Sequence, residues 1–293
     1  MHDFIGYCAV EVVDEQLGLA FPLAVFYPSA TPGRAQLVGP YALDVARGAA
    51  IEAGRFPLVL LSHGTGSAPL AYRALAQGLA RRGFVVGLPE HPFNHRDDNS
   101  WAGTAQNLAA RPRHLQLAID ALYGNSRFTA SLKPDAVGLV GHSMGGYTAL
   151  ALAGGRPASV PRDSPNGVGQ AIPVPAADAR VKALVLLAPA TPWFAAAGAL
   201  RNVKVPILLL EAEKDEHAGR FHGQVVLTGI EDRGLITHRI VENAGHFSFL
   251  SPFPAARVSP AFPPSQDPPG FDRAGFQEEL AAEVAAFFAR QLT

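Results

Sequence analysis

The chain of 293 residues predicts an α/β architecture, a mostly parallel central sheet flanked by helices on both faces. Three observations predict it. Apolar runs rich in β-branched and large residues recur at 10–13, 23–27, 58–61, 84–88, 137–140, 183–187, 207–210 and 236–241, and several are apolar throughout, as strands buried on both faces must be. Helical patterns at 70–82, 106–123, 145–153 and 276–292 alternate with the later runs, which is how parallel strands are connected. Finally, Gly141-His142-Ser143-Met144-Gly145 sits between an apolar strand and a small-residue helix, a strand–turn–helix signature.

The remaining elements follow in order. The first two runs have no helix between them, so they are expected as an antiparallel hairpin on one edge of the sheet. Segments 29–55, 154–178 and 251–270 are dense in Pro, Gly, Ser or Ala with little periodicity and read as loops. The second and third follow suspected functional residues, which makes them candidate covers for a site. Residues 183–200 are almost wholly apolar, yet Pro189 and Pro192 interrupt them, so strand, turn and short helix are expected there and not a membrane span. No polar linker separates two self-sufficient cores, so residues 1–293 are read as one domain.

Composition narrows the partners. With 48% hydrophobic residues, 17% charged residues and a formal charge of −1, the chain has ample core material and no basic field for nucleic acid or anionic membrane. The lone cysteine, Cys8, has no intramolecular disulfide partner and is expected to pack as a buried bystander. Met1 to Ile5 lack a basic start and a continuous apolar core, so the expected location is cytoplasmic.

The chemistry centres on Ser143. A serine hydroxyl becomes a useful nucleophile when a sharp turn holds it clear of the backbone, and the flanking glycines permit the close strand–helix approach that such a turn needs. A base must take its proton and a carboxylate must orient the base. His246 follows the strand 236–241 on a small-residue turn and is the expected base. Beyond the strand ending at Leu210, the crowded carboxylates Glu211, Glu213, Asp215 and Glu216 offer the acid. Asp215 is preferred because five residues allow the loop to turn back, and Glu213 is the substitute. The backbone N–H of Met144 and that of Thr65, on the glycine-rich bend after residue 61, are the expected oxyanion donors. His63, Trp193 and Phe247 are expected to face substrate. His91, His95, Asp97 and Asp98 lack regular metal-ligand spacing and read as loop or substrate-side wall, so no metal or other cofactor is expected.

Taken together, His63-Gly64, Gly141 to Gly146, Lys214-Asp215 and Gly245-His246 resemble the α/β-hydrolase superfamily, in family order. Gly83-Phe84-Val85-Val86, Pro89-Glu90-His91-Pro92, Gly245 to Leu250 and Gly270-Phe271-Asp272-Arg273 resemble more narrowly its predicted dienelactone-hydrolase and platelet-activating-factor acetylhydrolase-like branch. Dienelactone hydrolases use cysteine where this chain has Ser143, so that activity does not carry over. The resemblance implies an α/β-hydrolase fold and a serine esterase or lipase-like enzyme that cleaves small-molecule carboxylic esters through an acyl-enzyme. Amidase, thioesterase and acyltransferase share the constellation, and a hydrolase-fold binding protein without turnover is the non-enzymatic alternative.

Overall fold

A computed structural model describes residues 1–160 and 167–292. In chain order its strands are β1 (Phe4–Asp14), β2 (Leu19–Ser29), β3 (Arg34–Val38), β4 (Tyr41–Arg47), β5 (Phe56–Ser62), β6 (Val85–Pro89), β7 (Leu132–His142), β8 (Val181–Leu187), β9 (Ile207–Ala212) and β10 (Ile236–Val241). The helices are α1 (Arg73–Arg81), α2 (Ala105–Gly124), α3 (Met144–Leu152), α4 (Arg220–Gly229) and α5 (Arg273–Gln291). One ten-stranded sheet runs β10-β9-β8-β7-β5-β6-β2-β1-β4-β3, parallel from β10 to β6 and antiparallel at β6–β2 and β2–β1.

All eight expected strands form. The β1–β2 pair is an antiparallel hairpin, but it does not form the edge, because β4 adds to β1 and β3 closes that side. Those two strands correct the reading of 29–55 as loop. β4 buries Tyr41, Leu43 and Val45 while exposing Ala42 and Asp44, a period-two pattern too short to stand out beside Gly39-Pro40. α4 was also missed, since only Gly223, Val225 and Val226 of its ten residues are buried. The apolar stretch 183–200 resolves into β8 and a 3₁₀ turn at Pro192–Phe194. No helix among the described residues is long and apolar enough to cross a membrane. Cys8 is half-buried, not buried, because β1 exposes part of that face.

Alternating strand residues feed two cores. Val59 and Leu61 of β5 face a core shared with α1 and α5, while Leu58 and Leu60 face another built with α2, α3 and α4. Of the 154–178 segment, residues 161–166 lie outside the described residues; Ala158 and Ala171 form an isolated bridge. α2 carries Pro112 in its interior, which leaves the Leu108 carbonyl without its helical donor. The Tyr147 hydroxyl of α3 donates to that carbonyl at 2.9 Å, so the defect becomes a helix–helix contact.

Between β7 and α3 the chain turns in a single residue. A Cβ at Gly141 would overlap the Gly145 carbonyl, and one at Gly145 would overlap the Ser62 carbonyl of β5. Gly145→Ala should therefore destabilise the protein by about 3 kcal/mol in urea unfolding, the cost of overpacking a rigid contact. Gly124→Ala, at a helix end where an added Cβ meets nothing within 4 Å, should instead be neutral or stabilise by about 0.5 kcal/mol. Equal effects of the two substitutions would refute this account of the turn.

Candidate active site

Ser143 occupies that turn with φ 54° and ψ −119°, a conformation that L-residues rarely adopt and that neighbouring hydrogen bonds enforce. Its N–H donates to the Leu187 carbonyl of β8 at 3.0 Å. Its own carbonyl accepts from Gly146 and Ala190, each at 2.8 Å. With the backbone pinned on both sides, Ser143 lines a cavity of about 340 Å³ at the carboxyl ends of the parallel strands.

The histidine and the acid arrive from the next strands. β10 runs into a 3₁₀ turn, His246–Phe249, entered through Gly245, whose N–H donates to Ser248 Oγ at 3.0 Å. β9 runs into the loop bearing Asp215, whose Oδ1 accepts the N–H groups of His217 (2.8 Å) and Ala218 (2.6 Å). Its Oδ2 lies 2.8 Å from His246 Nδ1, and the side chains of His246 and Asp215 are only 6% and 2% exposed. A carboxylate partner keeps the imidazole proton on Nδ1 and leaves Nε2 free to accept one. Burial pushes the Asp215 pKa up, but the hydrogen bond and charge of His246, with the two backbone N–H groups, outweigh it and hold the carboxyl below its ordinary value. Glu213 instead accepts the Asn243 N–H at 2.7 Å, and Glu211 pairs with His238 at 2.6 Å. Of the four carboxylates considered, the structure brings Asp215 to His246.

The expected oxyanion donors are the N–H groups of Met144 and Thr65. Among the described residues, neither the Met144 nor the Thr65 N–H has a protein acceptor, whereas Gly64 N–H is committed to the Tyr72 hydroxyl at 3.1 Å. Thr65 lines the cavity. The Tyr72 hydroxyl in turn donates to His142 Nδ1 (2.8 Å), and His142 Nε2 donates to the His246 carbonyl (2.9 Å). Burial lowers the His142 pKa to about 3, so this chain of bonds runs through a neutral ring that accepts at one nitrogen and donates at the other.

Two expected substrate contacts are corrected. Trp193 packs edge-on against Tyr147 with centroids 5.0 Å apart, because the turn at Pro192 carries it towards α3 and away from the cavity. His63 is fully buried beneath the loop; its Nδ1 lies 2.7 Å from the Gly64 carbonyl and its Nε2 accepts the His91 N–H at 3.1 Å. Phe247 does line the cavity. So does the 251–270 segment, through Phe253, Arg257, Phe262 and Pro264, while no described residue of 154–178 does. Arg273 fastens that wall: it bonds both carboxylate oxygens of Asp267 and the carbonyls of Pro264 and Gln266, and Asp267 accepts from Ser248 Oγ at 2.7 Å. The His91–Asp98 cluster is dispersed, with His91 buried against Ser62 Oγ (2.8 Å) and Asp98 accepting the Ser100 N–H. Among the described residues no group of three His, Cys, Asp or Glu is arranged to hold a metal ion.

Comparison with known proteins bears on the fold. A sequence profile of the chlorophyllase family matches residues 38–160, the stretch that carries Thr65 and Ser143. The ferulic acid esterase from Streptomyces cinnamoneus superposes with a TM-score of 0.69 at 19% identity, covering 100% of this chain and 91% of its own. The chain has the α/β-hydrolase fold. A dienelactone hydrolase from Anabaena variabilis ATCC 29413 is similar over 98% of both chains, with a TM-score of 0.56 and 17% identity. No curated protein matches the sequence. Within this α/β-hydrolase fold, Ser143, Asp215 and His246 follow β7, β9 and β10, on one edge of the parallel sheet.

Sequence reasoning passed over the Tyr72–His142 chain, Arg257 and Arg111. Arg111 had a signal: it occupies a core-facing position of α2, in register with Leu108, Leu115 and Ile119. For the His246–Asp215 pair, proton NMR should show a far-downfield imidazole N–H resonance that is lost in Asp215→Asn and kept in Glu213→Gln. It should persist as the pH falls through 5, because the carboxylate stays ionised until below its ordinary value of 3.8. Loss of the resonance in Glu213→Gln alone would assign the partner wrongly.

Proposed function

We propose that this α/β hydrolase is a serine carboxylic-ester hydrolase with Ser143 as nucleophile, His246 as base and Asp215 as its orienting acid. The observation that carries the reading is that Ser143, on its strained turn, and the Asp215-paired His246 line one cavity. His246 Nε2 takes the hydroxyl proton while Ser143 Oγ bonds to the ester carbonyl carbon. The resulting oxyanion is held by the N–H groups of Met144 and Thr65. As the tetrahedral species collapses, the protonated imidazole gives its proton to the departing alcohol. Water, deprotonated by the same Nε2, then releases the acid from the acyl-enzyme. The similar ferulic acid esterase is consistent with the ester class.

The cavity walls suggest the substrate. Tyr41, Phe247, Phe253 and Phe262 contribute aromatic surface, Arg96 and Arg257 are cations of the lining, and no Asp or Glu lines the cavity among the described residues. Arg257 stands in that wall near the Tyr41 ring, with Nη1 buried and without a hydrogen-bond partner. This suits an ester with a flat or acyl body and an anionic group placed against Arg257.

Ser143→Ala should lose about 10^4-fold or more in turnover of p-nitrophenyl esters while keeping the fold, and labelling by a fluorophosphonate should disappear with it. Asp215→Asn should lose about 10^3- to 10^4-fold and Glu213→Gln far less. Activity in Ser143→Ala above about a tenth of wild type on every ester would move the chemistry elsewhere. For the anionic group, the free p-nitrophenyl hemiester of a dicarboxylic acid should be preferred in kcat/KM over its methyl ester by about tenfold, and Arg257→Gln should collapse that ratio. A ratio unchanged by the substitution would remove Arg257 from recognition.

A further inference from the structure

Arg111 is fully buried, and among the described residues no carboxylate pairs with it. Its guanidinium donates from Nε to Thr148 Oγ1 (2.9 Å), from Nη1 to Asn94 Oδ1 (2.6 Å), and from Nη2 to Ser62 Oγ (3.2 Å) and the His63 carbonyl. Every acceptor is neutral. The imidazoles around it do not change that balance, since burial first, and the Arg111 charge next, hold His63 and His91 well below the ordinary histidine pKa. Burial also draws Arg111 itself down to about 9, which leaves it charged at neutral pH. A cation enclosed without a counter-ion is a standing cost to stability, so an interior that keeps one has a use for it.

Three of the four acceptors lead to one of the two proposed oxyanion donors, while the fourth, Ser62 Oγ, bonds to His91. The His63 carbonyl precedes the Gly64-Thr65 bend, and Asn94, through Nδ2, holds Thr65 Oγ1 at 3.1 Å. On the other side Thr148 Oγ1 donates to the Met144 carbonyl at 2.9 Å, one turn back in α3. Asn94 is itself braced by Asn99 Oδ1 at 2.7 Å. The fork geometry of a guanidinium lets one side chain reach both the bend at 63–65 and α3, which an ammonium on a flexible stem cannot do.

We propose that Arg111 is the positioning residue of the oxyanion hole: it ties together the backbone segments that present the Thr65 and Met144 N–H groups, and its unbalanced charge favours the negative oxygen that exists only in the tetrahedral state. This rests on the ester-hydrolase reading above. A preorganised positive environment acts where charge develops, so its loss falls on turnover and not on ground-state binding.

The test compares Arg111→Lys, Arg111→Met, Asn94→Ala and Thr148→Val with wild type on a neutral p-nitrophenyl ester, after urea unfolding has shown which variants are folded. Arg111→Met should lower kcat by about 10^3-fold and Arg111→Lys by about 10^2-fold, with KM within about threefold of wild type. Asn94→Ala and Thr148→Val each cut one arm and should lose about tenfold in kcat; they decide the matter if the arginine variants do not fold. A trifluoromethyl ketone, which adds Ser143 to form an anionic hemiketal, and its methyl ketone parent supply the second readout. The affinity ratio between the two should fall in step with kcat, a change that loosened packing alone would not produce. Unchanged kcat in the folded variants, or equal losses for both ketones, overturns this inference while leaving the hydrolase reading standing. Absence of ester turnover and of serine labelling in the wild type overturns both.

Discussion

The site depends on one backbone constraint, the positive φ of Ser143 where β7 gives way to α3. A residue so strained holds its place only if its surroundings over-determine it. Here three hydrogen bonds grip its amide and carbonyl, and two close contacts forbid a side chain at Gly141 and Gly145. The strain is thus spread across β5, β7, β8 and α3, all of which belong to the two apolar cores. The conformation of Ser143 and the stability of the sheet draw on the same packing, so neither can drift far without the other.

Around that point the polar groups are arranged so that few are shared. Asp215 spends one oxygen on its own loop and the other on His246. Glu211 and Glu213, which differ from it only by a few residues in sequence, are occupied by His238 and the Asn243 amide. Tyr72 and His142 occupy the Gly64 N–H and the His246 carbonyl, which keeps those backbone groups out of competition with substrate. Selectivity among chemically equivalent side chains comes from what each has already bonded.

How much of this was legible in the sequence follows from the range of the interactions. The eight apolar strands and the turns that carry Ser143 and His246 were readable because each is announced by its immediate neighbours, an apolar run or a glycine. The contact between Asp215 and His246 was readable from loop length, and Glu213 anchors the backbone of Asn243. β3 and β4 were not, since β4 is placed by pairing with β1 and β3 by pairing with β4, and neither is marked by a strong local run. Trp193 and His63 failed for a related reason. Their side-chain directions are fixed by a proline turn and by the neighbouring His91, respectively, and a position near the catalytic edge does not reveal a direction. Arg111 was visible as a charge on an apolar helix face, but its partners are scattered from Ser62 to Thr148.

The cavity wall at 251–270 is clasped to α5 through Arg273 and Asp267, and Asp267 also holds Ser248, two residues from His246. Divergence of substrate range within such a lineage is therefore channelled. Arg257 and Phe262 can be exchanged as the chain evolves, since they face the cavity and their side chains lie outside the clasp, whereas Phe253 sits under the Arg273 guanidinium. Positions 264 to 267 are not free in the same way, because a change there pulls on the turn that holds His246.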